Sequence, residues 1–214
     1  GGWLAQWGYE YLKDVRAYVL IVGTVAALLL FGGGCERLAP RPQVFQSSDI
    51  TGVPWGHDFA LHDVTGKRRS LADYRGKVVV LFFGYVHCPD VCPTTMIELK
   101  QVMTKLGPLA KDVQVLFVSL DPERDSAAVL AQYVPAFHPD FVGLRGSIGE
   151  TEQVARDFKV IYQRVSAGEP GAYSIDHSGG CYVFDQAGHL RLHVALGAGS
   201  AVMEHDLRQL LQSR

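Results

Sequence analysis

Two cysteines stand four residues apart, Cys88 and Cys92, in the run Gly84-Tyr85-Val86-His87-Cys88-Pro89-Asp90-Val91-Cys92-Pro93-Thr94-Thr95. Side chains at that spacing share one face of a helical turn. Two thiols so placed can converge on one metal ion or close into a disulfide. Both chemistries use the thiolate, which the N-terminal end of a helix favours. Pro89 and Pro93 stiffen the loop between them. A third donor is His177, in Tyr173-Ser174-Ile175-Asp176-His177-Ser178. Two thiolates and an imidazole with an open coordination position suit copper or zinc; thiolates favour Cu(I), and the imidazole also admits Cu(II). Asp176 is placed to orient the ring as an outer partner. Cys88 and Cys92 would equally serve as a redox-active pair in thiol–disulfide exchange, or as an inert structural disulfide in an oxidising compartment.

The other cysteines and histidines carry weaker signals. His87 points to the opposite side of an extended chain from Cys88 and reads as a packing residue. Cys181 reads as a small buried residue at a strand start. His57, His62, His138, His189, His193 and His205 have no convergent partner in sequence and read as structural or solvated. Four cysteines in 214 residues are too few for a disulfide scaffold, and a net charge of −2 argues against nucleic-acid binding.

The elements that must position these residues follow from hydrophobic patterning. Residues 58–63 alternate like a strand before a turn at 65–67. Lys77 to Tyr85 and Val113 to Leu120 are continuous β-branched and aromatic runs, the mark of strands buried on both faces. Helices are predicted over 93–106, 126–133 (ending near Pro135), 151–158 and 200–212, with a short strand at 141–144. Residues 182–185 and 190–195 pair as a hairpin. Strands alternating with helices imply an α/β fold with a central mixed sheet covered on both faces. Its chemistry is expected at the carboxyl ends of the strands, where 84–93, 121–125 and 172–178 lie in loops.

The N-terminal region has a different character. Ala17 to Gly34 carries no charge, follows Lys13 and Arg16, and is preceded by Trp7, Tyr9 and Tyr11. As a helix it would span about 27 Å, just short of a bilayer core of about 30 Å. It reads as a retained membrane anchor, as a signal peptide ending at a lipid-modified Cys35, or as a buried core helix; the flanking aromatic and basic residues fit the last least well. Either of the first two places residues 36–214 outside the cytoplasm. The organisation expected is an anchor or signal over 1–34, a linker over 35–56 and one domain over 57–214.

Three motifs in order, GYVHCPDVCPTT (84–95), SLDPERD (119–125) and IDHS (175–178), resemble the Sco/SenC family. The upstream Asp58-Phe59, Gly66-Lys67 and Gly76-Lys77-Val78-Val79 also fit, and the resemblance covers about residues 55–212. It implies a thioredoxin-like fold, tethered by one membrane segment. It further implies a copper-binding accessory protein that assists assembly of the dinuclear copper centre of cytochrome c oxidase. By motif match Cys88, Cys92 and His177 would be the metal ligands. The implied partners are a copper donor protein and the oxidase subunit that bears the copper centre; the implied location is the periplasmic side of a bacterial inner membrane. The alternative is a thiol–disulfide oxidoreductase that reduces that subunit's copper-site cysteines. Asp121 and Asp176 match family acids without a ligand role.

Overall fold

Uncharged runs of β-branched and aromatic residues become the strands buried on both faces, and helices then cover them. The structure, a computed structural model, describes residues 43–166, 168 and 172–212. The charge-free run 17–34 and Cys35 lie outside the described residues. Among the described residues no helix is long and apolar enough to cross a membrane.

In chain order the elements are β1 (Ser48–Asp49), β2 (Leu61–Asp63), β3 (Arg68–Arg69), a 3₁₀ turn (Leu71–Tyr74), β4 (Val78–Gly84) and α1 (Val91–Leu106). A second 3₁₀ segment (Gly107–Asp112) leads to β5 (Val113–Ser119), α2 (Ala127–Phe137), β6 (Val142–Arg145) and α3 (Ile148–Asp157). The chain continues with β7 (Tyr162–Ser166), β8 (Tyr173–His177), β9 (Cys181–Phe184), β10 (Leu190–Val194) and α4 (Ser200–Gln212).

Eight strands form one sheet in the order β1-β10-β9-β4-β5-β6-β2-β3. Its centre, β4-β5-β6, is parallel; β9 and β2 join it antiparallel, so the sheet is mixed as expected. Alternation along β4 separates two cores. Val78, Val80 and Phe82 pack with Met96, Leu99 and Met103 of α1 and Leu207 and Leu210 of α4. Val79, Leu81 and Phe83 pack with Val154 and Ala155 of α3 and with Phe158 on the other face. This is the thioredoxin-like arrangement.

Several boundaries differ from the sequence reading, each for a physical reason. The first core strand starts at Leu61 rather than residue 58, because the Asp58 carboxylate is committed to the N–H groups of Phe59 and Leu71. α2 runs past Pro135 to Phe137. Buried Val134 and the Tyr133–Phe137 ring contact, 5.1 Å between centroids, hold its last turn. α3 begins at Ile148, where Ser147 and Glu150 form a reciprocal capping box. Residues 43–56, expected as linker, contribute β1, and the N–H groups of Gln46 and Ser47 donate to Asp206 of α4 at 2.8 and 2.9 Å. The stretch 173–178, read as a loop, is mostly strand: β7 and β8 form a separate two-stranded sheet.

Candidate functional site

β4 ends at Gly84, and the chain crosses the sheet rim before entering α1. A side chain at Gly84 would meet the Cys92 sulfur at 3.0 Å and the Phe82 and Phe117 rings at 3.1 Å, so glycine there makes room for the thiol. α1 starts at Val91, two residues earlier than predicted, which puts Cys92 in its first turn. Asp90 stands at the cap without a side-chain cap hydrogen bond. The Cys88 sulfur takes that place and accepts from the Cys92 N–H at 3.4 Å.

The two thiols are therefore unequal. Burial opposes ionisation of half-buried Cys88, but N–H groups of Asp90, Cys92 and Val91 and the Cys92 thiol outweigh it and draw its pKa below the ordinary value. Cys92 is 0% exposed, and burial drives its pKa far up, reinforced by the charges of Cys88 and Asp125. The sequence reading gave both cysteines the benefit of the helix end; only Cys88 receives it. Both are free thiols.

His177 closes β8. Its Nε2 lies 3.8 Å from the Cys92 sulfur. Its Nδ1 lies 3.0 Å from the Ser178 carbonyl. A carbonyl only accepts, so this contact holds the hydrogen on Nδ1 and leaves the Nε2 lone pair toward the thiol. Asp176, expected to orient the ring, is exposed, and the Ser178 carbonyl does that work. The Tyr85 ring meets the imidazole edge-on at 6.3 Å.

Two acids of the run 119–125 brace this rim. Asp121 is fully buried; it accepts from the Tyr173 hydroxyl at 2.8 Å and pairs with Arg124. Asp125, also fully buried, accepts from the Val86 N–H at 3.1 Å and the Ser119 hydroxyl at 2.7 Å. His87, read as a packing residue, is 54% exposed and sits 3.9 Å from Asp125. Cys181 is buried opposite Phe82 of β4, and burial raises its pKa to about 12. Tyr173, Arg124 and Asp125 were not singled out from sequence. The motif 119–125 marked the segment, but its partners lie as far as 52 positions along the chain.

An open cleft of about 360 Å³ exposes Cys88 between Pro89, Val91 and the 174–177 strand. The donor set fits a first-row metal in part. Bonds of about 2.3 Å to sulfur and about 2.0 Å to nitrogen, meeting near 120°, span about 3.7 Å, close to the Cys92–His177 separation. Cys88 is turned to the helix end instead, and among the described residues no three His, Cys, Asp or Glu side chains converge as a ready-made metal site.

Comparison with known proteins agrees with this architecture. The chain is 41% identical over 161 residues to the mitochondrial SCO2 homolog of Danio rerio, covering 70% of this chain and 58% of that protein, so it spans little more than half of that relative's length. It is 30% identical over 200 residues to an SCO2-like protein of Rickettsia conorii, covering 92% of this chain and 96% of the relative. Bradyrhizobium japonicum ScoI, solved with copper bound, matches with a TM-score of 0.67 and 34% identity over 74% of this chain and 99% of its own. Apo Sco1 from Thermus thermophilus matches with a TM-score of 0.68 and 38% identity over 79% of this chain and 97% of its own. The SCO1/SenC family profile spans residues 48–212, from β1 to the end of α4 and through all three rim segments, and the chain belongs to that family.

Proposed function

We propose that the protein is a membrane-tethered copper metallochaperone. It binds one copper ion through the thiolates of Cys88 and Cys92 and through His177, and assists assembly of the dinuclear copper centre of cytochrome c oxidase. The observation that carries this reading is the Nε2 of His177 held toward the Cys92 sulfur at 3.8 Å while Nδ1 is engaged by a backbone carbonyl. The copper-bound ScoI relative supports it. Cys88 offers a thiolate at the cleft. Cys92 keeps its proton until the cation's charge displaces it, so loading releases that proton. Closure of the set needs Cys88 to turn from the helix end toward the ion. A copper donor protein loads the site from the cleft, and the acceptor is the oxidase subunit. A membrane tether, either a retained segment 1–34 or a lipid on Cys35, holds the domain outside the cytoplasm, on the periplasmic side of a bacterial inner membrane, and raises its concentration near a membrane-bound acceptor.

Copper titration of the detergent-solubilised full chain tests this. One equivalent binds the reduced protein with a thiolate-to-copper charge-transfer band, and His177→Ala and Cys88→Ser each weaken binding by about tenfold or more. Unchanged affinity in both variants overturns the assignment.

The unequal thiols favour a second reading, a thiol–disulfide oxidoreductase that reduces the copper-site cysteines of the same subunit. The Cys88 thiolate would attack a partner disulfide, forming a mixed disulfide and releasing one partner thiolate. Cys92, losing its proton, would then attack Cys88, releasing the second partner thiolate and leaving a Cys88–Cys92 disulfide; two electrons pass to the partner. Full partner reduction by metal-free His177→Ala, combined with intact function, selects this reading.

A further inference from the structure

The β7–β8 hairpin carries His177 but, among the described residues, shares no strand pairing with the eight-stranded sheet. Its ladder joins Tyr162 to His177 and Ser166 to Tyr173. Side chains must therefore set where the imidazole stands against the cysteines. Ile175 supplies adhesion by sinking into the core, but apolar burial is non-directional. Besides the Ile175 N–H, which faces the Tyr85 hydroxyl, the directional contacts converge on one short segment. The Tyr173 hydroxyl donates to Asp121 at 2.8 Å. Arg124 donates to the Tyr173 carbonyl at 2.8 Å, pairs with Asp121, and lies 3.5 Å over the Tyr173 ring. Glu123 pairs with Arg164 of β7. From the same segment Asp125 accepts the N–H of Val86, two residues before Cys88.

We propose that Ser119–Asp125 is the positioning element of the site. Asp121, through Tyr173 and Arg124, registers the His177 hairpin; Asp125, through Val86, registers the cysteine loop. One segment thereby holds both halves of the donor set to a common frame. Tyr173, Ile175 and His177 share one face of β8, so a tilt at Tyr173 is carried to the imidazole about 13 Å away at about 3.3 Å per residue. Asp121 is suited to anchor this lever, because a buried carboxylate with charge-assisted partners stays where they hold it. None of these residues touches the ion. The inference rests on the copper reading for its consequence but not for its geometry.

The test is Tyr173→Phe in the full chain, which removes one hydroxyl. In the reduced, metal-free protein, amide exchange at Ile175, whose N–H faces the Tyr85 hydroxyl, accelerates about tenfold, the worth of one hydrogen bond to a buried charge, while β4 and α1 amides are unchanged. In copper titrations the same change weakens binding about fivefold, and by less than about twofold once His177 is already Ala, because the effect passes through His177. Arg124→Lys, which keeps the charge but loses the fork, moves both readouts the same way. Unaltered exchange at β8, or an equal loss of affinity in both backgrounds, overturns the inference. If His177→Ala and Cys88→Ser both leave copper affinity unchanged, the metallochaperone reading fails, and the metal-free exchange still decides whether the segment positions the hairpin.

Discussion

Gly84 is the residue on which the buried thiol depends. A Cβ there would be hemmed by the Cys92 sulfur at 3.0 Å and by two rings at 3.1 Å, with no flexible chain end to give way. Gly84→Ala is expected to destabilise the domain by about 1–3 kcal/mol, the usual range for overpacking, read as a lower urea midpoint. An unchanged midpoint would mean that the sulfur has space to move. Residue identities were legible here: Cys88, Cys92 and His177 stand out by type and spacing alone. Their states were not. The lowered pKa of Cys88 arises from N–H groups at the helix end, and the raised pKa of Cys92 from burial; both depend on where α1 starts. His87 shows the same limit: its neighbour in sequence is Cys88, but its neighbour in space is Asp125.

At the scale of elements, the β2–β3 turn is organised by one carboxylate. Asp63 accepts from the N–H and hydroxyl of Thr65, the N–H of Lys67 and Arg69. Burial works against its ionisation, but these bonds prevail and lower its pKa to about 2. A depressed folded-state pKa contributes stability that is present above the unfolded value, near 4, and lost as pH falls toward about 2. Urea denaturation from pH 5 to pH 2 should show this loss in the native protein and a flatter profile in Asp63→Asn; parallel profiles would sink the assignment. Central strands were legible because β4 and β5 are apolar on both faces. The β7–β8 hairpin was not. Its residues Tyr162-Gln163-Arg164-Val165-Ser166 are largely exposed and carry no alternating apolar signal. Ile175 alone of its aliphatic residues sinks into the core, and its register comes from Tyr173, Arg124 and Asp121.

At the scale of the molecule, Asp206 of α4 fixes where the chain joins the domain. It is 1% exposed and accepts from the N–H groups of Gln46 and Ser47, with His205 2.9 Å away. Asp206→Ala leaves both donors without their acceptor and should cost about 1–3 kcal/mol, together with faster proteolysis within 43–50. Unchanged stability and cleavage would show that β1 pairing alone holds this stretch.

The sequence by itself determined the fold class, the central strands and the three rim segments, because apolar periodicity and turn residues are local signals. It also determined the three candidate donors, because residue types limit the chemistry. Only the tertiary structure decided the rest. Hydrogen bonds between residues 39 to 160 positions apart join Val86 to Asp125, Tyr173 to Asp121 and Gln46 to Asp206. Contacts at such separations arise when the sheet is complete, and no local pattern announces them. The unequal thiols and the aim of His177 come from that assembled rim, since burial and hydrogen bonding, not residue type, set which proton is held and which lone pair faces the sulfur.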